Sequence, residues 1–315
     1  MLASHSRELK TEALVLKACD WKETDRLLWV LLPSEGLSKV IVKRARKHGA
    51  SMAGAAQAMA WHTLHLKRMG SQTLSNPLRS GSGTQPYSQI TGTLGSEPSW
   101  WVLAQYVPQQ MFPKLKAHMP NHTLAMLACE MTLGVLEAGG GVLETTSQET
   151  SQPYQALWTH VLALLNVLET SPTEVTHTQE VTPWHYVVLL RWLRKLLHLE
   201  GWLAEESLCL RCGITLIDYP HAIYWDAEAL GGVCHDCATT HTASQTDTSR
   251  YSQSSMLTLL GTEEAQAWCH QFAPFWHMPA EVRLQYGALL QQWQNRLLDA
   301  WERQYGRKLH TRCLL

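Results

Sequence analysis

Two Cys-x-x-Cys pairs, Cys209/Cys212 and Cys234/Cys237, bracket a 21-residue interval in the stretch CLRCGITLIDYPHAIYWDAEALGGVCHDC (209–237). Four thiolates suit a zinc ion held tetrahedrally at about 2.3 Å, and each pair supplies two of them from one tight knuckle. The interval can fold as a small hairpin, with Gly213 and Gly231–Gly232 where the backbone must turn sharply. His235, between two of the cysteines, is expected to point away from a metal held by its neighbours, and His221 reads as an exposed loop histidine. Structural zinc sites fill every position with protein ligands, whereas catalytic sites keep one open for water. The expectation is therefore a structural Zn2+. The deaminase pattern H-x-E followed by P-C-x-x-C is absent from the sequence. So are the G-x-x-x-x-G-K-[ST], G-x-S-x-G and H-E-x-x-H motifs. The chain is not expected to be an enzyme.

A second group of residues carries charge rather than ligands. Residues 1–70 hold 12 Lys/Arg against 6 Asp/Glu, although the whole chain has a formal net charge of −1. No carboxylate occurs from Gly36 to Ser96, while Lys39, Lys43, Arg44, Arg46, Lys47, Lys67, Arg68 and Arg79 all fall inside that span. With no internal acid to screen it, such a region attracts polyanions. Lys39, Lys43, Arg44, Arg46 and Lys47 are the expected phosphate contacts, with Lys67 and Arg68 beside them.

The elements that must present these groups change character along the chain. EALVLKA (12–18), RLLWVLLP (26–33) and LSKVIVKRARK (37–47) read as strands, and AMAWHTLHLKR (58–68) as a further strand or a helix. In an extended 37–47 segment, Lys39, Ile41, Lys43 and Ala45 share one face and Val40, Val42, Arg44 and Arg46 the other. Short, closely spaced strands predict a small β-barrel. The Ser/Gly/Thr/Pro-rich residues 75–98 read as a mobile loop. Helices are expected at 121–141, capped by Asn121, at 153–170, at 182–202 with Thr182 as N-cap and Pro183 in the first turn, and at 279–308. On the third, Arg191, Arg194, Lys195 and His198 recur at helical spacing as a basic stripe. A solvated face is the default for that stripe; Arg191, Arg194 and Lys195 are additional candidates for DNA contact. Most of the 14 tryptophans should be core, but one near the basic barrel, such as Trp100 or Trp101, could stack on a base.

The order of these parts resembles the bacterial recombination mediator family RecO over most of the chain. The resemblance rests on the strand–ETD–strand–Gly–strand unit (12–43) running into KRARK, and on HLEGWLAEESLCLRCG (198–213) followed by GGVCHDC (231–237). A basic tail, YGRKLHTR (305–312), completes it. It implies an α+β multidomain protein: an N-terminal OB-fold β-barrel, then an α-helical domain with an inserted four-cysteine zinc ribbon. The corresponding boundaries are 1–80 for the DNA-binding OB-fold, 81–98 for a flexible linker and 99–205 for the first helical part. The ribbon then spans 206–240, a second linker 241–255, and the C-terminal helical part 256–315. The resemblance further implies binding to single- and double-stranded DNA and annealing of complementary strands. Partnership with RecR, the C-terminal tail of single-strand-binding protein and, indirectly, the RecA recombinase follows from the same source.

Eight cysteines with four scattered singly do not resemble a disulfide framework, and no signal-peptide pattern or membrane-spanning apolar run is apparent. The expectation is a cytoplasmic, nucleoid-associated bacterial protein without a membrane partner. Two readings compete with a DNA-binding mediator: an RNA-binding zinc-ribbon module without a DNA repair role, and an undetected metalloenzyme.

Overall fold

Alternation of apolar and polar residues builds the N-terminal sheet. In the computed structural model, which describes residues 8–47, 51–68, 99–139, 154–172, 180–203, 208–243, 257–270, 272, 275 and 278–314, five strands close into a barrel in the order β1-β2-β3-β5-β4. They are β1 (Glu8–Trp21), β2 (Asp25–Leu32), β3 (Gly36–Val42), β4 (Ala60–Arg68) and β5 (Ser99–Gln110). β1 pairs antiparallel with both β2 and β4, while β5 runs parallel to β3 and antiparallel to β4. This closed five-stranded arrangement is that of the OB-fold. Every second side chain points inward: Ala13, Val15, Leu28, Val30, Val40, Val42, Leu64, Leu66, Trp101 and Leu103 form one buried cluster. Each fully buried Val or Leu contributes about 1.5–3 kcal/mol. Ala55 and Ala56, from a 3-10 turn at Gly54–Ala56, join the same cluster.

The fifth strand corrects the expectation that residues from 99 onward begin the helical domain. Trp101 and Leu103 are needed inside the barrel, and without β5 the edges of β3 and β4 would stay unpaired. The loop expected at 75–98, with Arg79, lies outside the described residues, as do most of both expected linkers.

By internal packing the chain divides into two compact units, Met1–Lys116 with Ala125–Glu169, and Ala117–Leu124 with Thr170–Leu315. In the first, α1 (Pro113–Ala117) and α3 (Gln155–Glu169) adjoin the barrel. The Glu169 carboxylate accepts the N–H groups of Lys114 and Leu115, satisfying donors that a helix start leaves open. The ring of Trp158 meets that of Trp61 edge-on, with centroids 5.6 Å apart. Gly36, at φ 70°, ends the β2–β3 turn; a Cβ there would lie 2.5 Å from the Tyr154 ring.

A long helix, α2 (Met119–Glu137), starts two residues earlier than expected, so Asn121 is not its cap. Asn121 is buried instead, donating to Ser171 Oγ at 2.9 Å and accepting from His185 Nε2 at 3.1 Å. α4 (Pro183–Leu199) begins as expected, with Thr182 as N-cap and Pro183 first. The Thr182 N–H donates to His185 Nδ1 at 2.9 Å. That bond makes Nδ1 an acceptor and leaves the proton on Nε2.

The segment expected as one helix at 279–308 is two: α7 (Ala280–Gln285) and α8 (Gly287–Tyr305), interrupted before Gly287. Gly306 closes α8 in the left-handed region at φ 60°. Between α4 and α7 come β6 (Ile223–Asp226), β7 (Gly231–Cys234), α5 (His235–Ala243), β8 (Leu257–Leu259) and α6 (Thr262–Cys269). The core of this unit is aromatic. Trp268 stacks on Trp293 at 4.9 Å, and Trp225 meets both rings edge-on at 4.5 and 5.1 Å.

Candidate nucleic-acid interface and metal centre

KRARK is not the end of a strand, because β3 stops at Val42 and residues 43–46 turn. Ala45 supplies the reason: its methyl belongs to the barrel core, so the chain must curl to insert it. The turn is pinned to the β1–β2 connection by three bonds. The Arg44 N–H donates to Asp25 Oδ1 at 2.8 Å, the Arg46 N–H to the Thr24 carbonyl at 3.0 Å, and Arg46 Nη1 to the Lys22 carbonyl at 3.4 Å. Arg44 takes φ 58° within the turn. Lys43, Arg44, Arg46 and Lys47 are all exposed. Asp20 sits between Arg26 and Arg46 at 3.3 Å from each, so part of the Arg46 charge is already engaged. Exposed pairs of this kind are worth at most about 1 kcal/mol and yield readily to a phosphate.

Lys39 is placed differently from the turn cations. On the outer face of the barrel the strand registers align Lys17 (β1) with Trp29 (β2), Trp29 with Lys39 (β3), and Lys39 with Trp100 (β5). The Lys17 ammonium lies 5.2 Å from the Trp29 ring centroid, and that of Lys39 5.2 Å from the Trp100 ring. Trp21 adds a third ring, 6.3 Å from Trp100. The adjacent tryptophans thus separate by strand alternation: Trp101 is 4% exposed in the core, and Trp100 stands on the outer face. The Trp29 contribution was missed by sequence reasoning. Trp29 and Lys39 occupy the outward parity of their strands, but Lys17 shares the parity of buried Ala13 and Val15 and faces outward only past the irregularity in β1 between Val15 and Lys17, so the alignment needs the register.

Lys67 is exposed and paired with Glu8 at 3.1 Å; Arg68, also exposed, ends β4 beside it. In the second unit the stripe on α4 is broken. Arg191, Lys195 and His198 are exposed, but Arg194 is 2% exposed. Its Nη1 donates to the Trp268 carbonyl at 2.8 Å, and its guanidinium lies 4.2 Å from the Trp268 ring. Arg194 therefore cannot serve the DNA contact expected of it: the helix turns that position toward the aromatic core.

The four cysteines Cys209, Cys212, Cys234 and Cys237 come together with their sulfurs within 4.8 Å of one another. Cys212 Sγ and Cys234 Sγ are 3.7 Å apart, close to the edge of about 3.8 Å that a tetrahedron with metal–sulfur bonds of about 2.3 Å requires. Cys234 leaves the end of β7, and Cys237 lies in the first turn of α5. Burial pushes the Cys209 thiol up, but N–H groups from Cys234, Cys212 and Arg211 outweigh it and bring it down to about 6, whereas burial raises the thiols of Cys234 and Cys237. A thiolate is the form a metal needs. Gly213 turns the first knuckle at φ 72°. Gly231 and Gly232 depart from the expected sharp turn; they lie in β7, where a Cβ would meet Leu210 at 2.8 Å and Leu216 at 2.4 Å respectively. Close packing, not curvature, demands them. β6 and β7 form the expected hairpin, and β8 adds a third strand from the segment assigned to the C-terminal helices. His235 is not one of the clustered ligands; its ring lies 6.3 Å from that of His221 and 6.2 Å from that of Tyr224.

No helix among the described residues is long and apolar enough to cross a membrane. Residues 6–87 match the family model described as Recombination protein O N terminal. That match spans β1 to β4 and stops short of β5. A search of curated proteins found no match to the chain. The family is one of recombination and repair, and the RNA-binding reading gains no support from it.

Proposed function

We propose that this chain, a RecO-type recombination protein by its N-terminal domain, binds single- and double-stranded DNA and anneals complementary strands. The observation that carries this reading is the turn 43–47. Ala45 and two backbone hydrogen bonds, from the Arg44 and Arg46 N–H groups, fix its backbone while four exposed cations line it. Annealing needs no acid or base. Cations that neutralise two phosphate backbones lower their repulsion, and base pairing then drives the reaction. The protein is a mediator without turnover of its own. It acts with RecR to help load RecA on DNA coated by single-strand-binding protein, whose C-terminal tail it contacts.

The four-cysteine site holds zinc in a structural role. All four ligand positions are filled by sulfur, and the metal would tie the 209–213 knuckle to β7 and α5. The deciding experiment replaces Lys43, Arg44, Arg46 and Lys47 together with Ala and measures oligonucleotide binding and strand annealing. Both should weaken. Unchanged binding and annealing would overturn the assignment.

A further inference from the structure

We propose that the row Lys17–Trp29–Lys39–Trp100 on the barrel is a base-stacking track that makes the protein favour single-stranded over duplex DNA. This inference rests on the DNA-binding reading above and names the residues that set its strand preference. Four neighbouring strand positions place cation, ring, cation and ring in one line across β1, β2, β3 and β5. At a strand spacing of about 4.8 Å, the row is about 14 Å long. Both rings are only half-buried, although their strand neighbours Leu28, Val30 and Trp101 are buried in the core. The rings are thus anchored at the backbone and open outward, with no side-chain entropy left to lose beyond two torsions.

The chemistry of this row fits one occupant. Each of these rings is covered by a lysine, and Trp100 also meets the Trp21 ring, so the row pairs rings with cations at the surface. The row itself contains no carboxylate. The nearest acids by register, Asp20 and Asp25, lie at the strand ends and are engaged by Arg26, Arg46 and the Arg44 N–H. An ammonium on an exposed ring is held less strongly than a stacked base. An arriving base therefore displaces the lysine from the ring, and the freed ammonium reaches the phosphate of the same strand. Paired bases in a duplex cannot present their faces to a protein surface, so only an unpaired strand obtains the second contact. The basic turn lies close by: Lys43 follows Lys39 by four residues, about 13 Å along an extended chain. Phosphates held at 43–47 and bases stacked on Trp100 and Trp29 form one path.

The test compares the full chain with a Trp29→Ala/Trp100→Ala variant on oligo(dT), an abasic oligonucleotide of equal length and a duplex. The unaltered protein should bind oligo(dT) about tenfold or more tighter than the abasic strand, which has the same charge and no bases. The variant should lose that ratio while keeping its abasic and duplex affinities, and Trp29→Tyr/Trp100→Tyr should restore it. An unchanged ratio in the Ala variant overturns the track but leaves binding at the turn standing. Failure of the unaltered protein to bind any of the three overturns both. Tighter binding of oligo(rU) than oligo(dU) overturns DNA as the occupant.

Discussion

Arg194 and Trp268 are locked together in two ways: the guanidinium lies 4.2 Å from the indole ring and donates to the same residue's carbonyl at 2.8 Å. A cation with 2% exposure makes no contact with a polyanion, so this relationship removes the centre of the basic stripe on α4. It also converts a candidate binding residue into a packing residue. Arg194→Met, which keeps length and loses charge, should destabilise the protein by about 2–4 kcal/mol, read by urea unfolding. DNA affinity measured well below the unfolding midpoint should not move. A selective loss of affinity without a stability change would falsify this role.

The four cations of the 43–47 turn should determine how strongly binding depends on salt. Each phosphate contact releases counterions, with a slope of about 0.7 per contact on single strands. Removing Lys43 and Lys47, which have no ion pair among the described residues, should reduce the slope by about 1.4 in a titration from low to high salt. Arg46→Ala should change it less, because Asp20 already competes for that side chain at 3.3 Å.

Metal removal should act locally. A chelator strong enough to strip a four-thiolate site should expose the 209–243 segment to proteolysis and leave the N-terminal barrel strands β1 to β5 resistant. Elemental analysis should return one zinc per chain. Gly232→Ala should mimic the stripped state even with metal present, since its Cβ would lie 2.4 Å from Leu216. Equal proteolysis of both segments after chelation would contradict the structural role.

Two buried histidines predict acid sensitivity. Burial, with Lys116 nearby, lowers His62 to about 4; burial, with His118 nearby, lowers His185 to about 4. An unfolded histidine titrates near 6.5, so between about 6.5 and 4 the unfolded chain holds protons that the native chain does not. Stability is therefore full above about 6.5, falls with pH through that window, and levels off below about 4. Each site accounts for a loss of about 3 kcal/mol at most. Both rings are fully buried, and among the described residues neither nitrogen of His62 has a hydrogen-bond partner. His62→Leu should thus flatten the pH dependence without much loss at neutral pH. Unfolding curves at pH 7.5 and 5 that shift equally in variant and parent would argue against it.

Several features were legible because they depend on local chemistry. Thr182–Pro183 marked a helix start, and Cys-x-x-Cys spacing marked a sulfur cluster that could hold a metal, since caps and knuckles are made by residues adjacent in the chain. Asn121 misled for the opposite reason. It has the composition of a cap, yet its partners Ser171 and His185 lie 50 and 64 residues away. Nothing local to Trp100–Trp101, just after the Ser/Gly/Thr/Pro-rich stretch, said that they lie in a strand closing the barrel.

By itself the sequence determined the strand-rich basic start, the main helices after it, the four cysteines that come together and the family to which the N-terminal segment is matched. These follow from residue type, spacing and charge, which are properties of short stretches of chain. Only the tertiary structure decided which cations face outward. Arg194 is drawn into an aromatic core, Ala45 curls the basic run into a turn, and barrel register lines Lys17, Trp29, Lys39 and Trp100 in one row. Register and burial depend on what distant segments bring alongside, and barrel closure sets both at once.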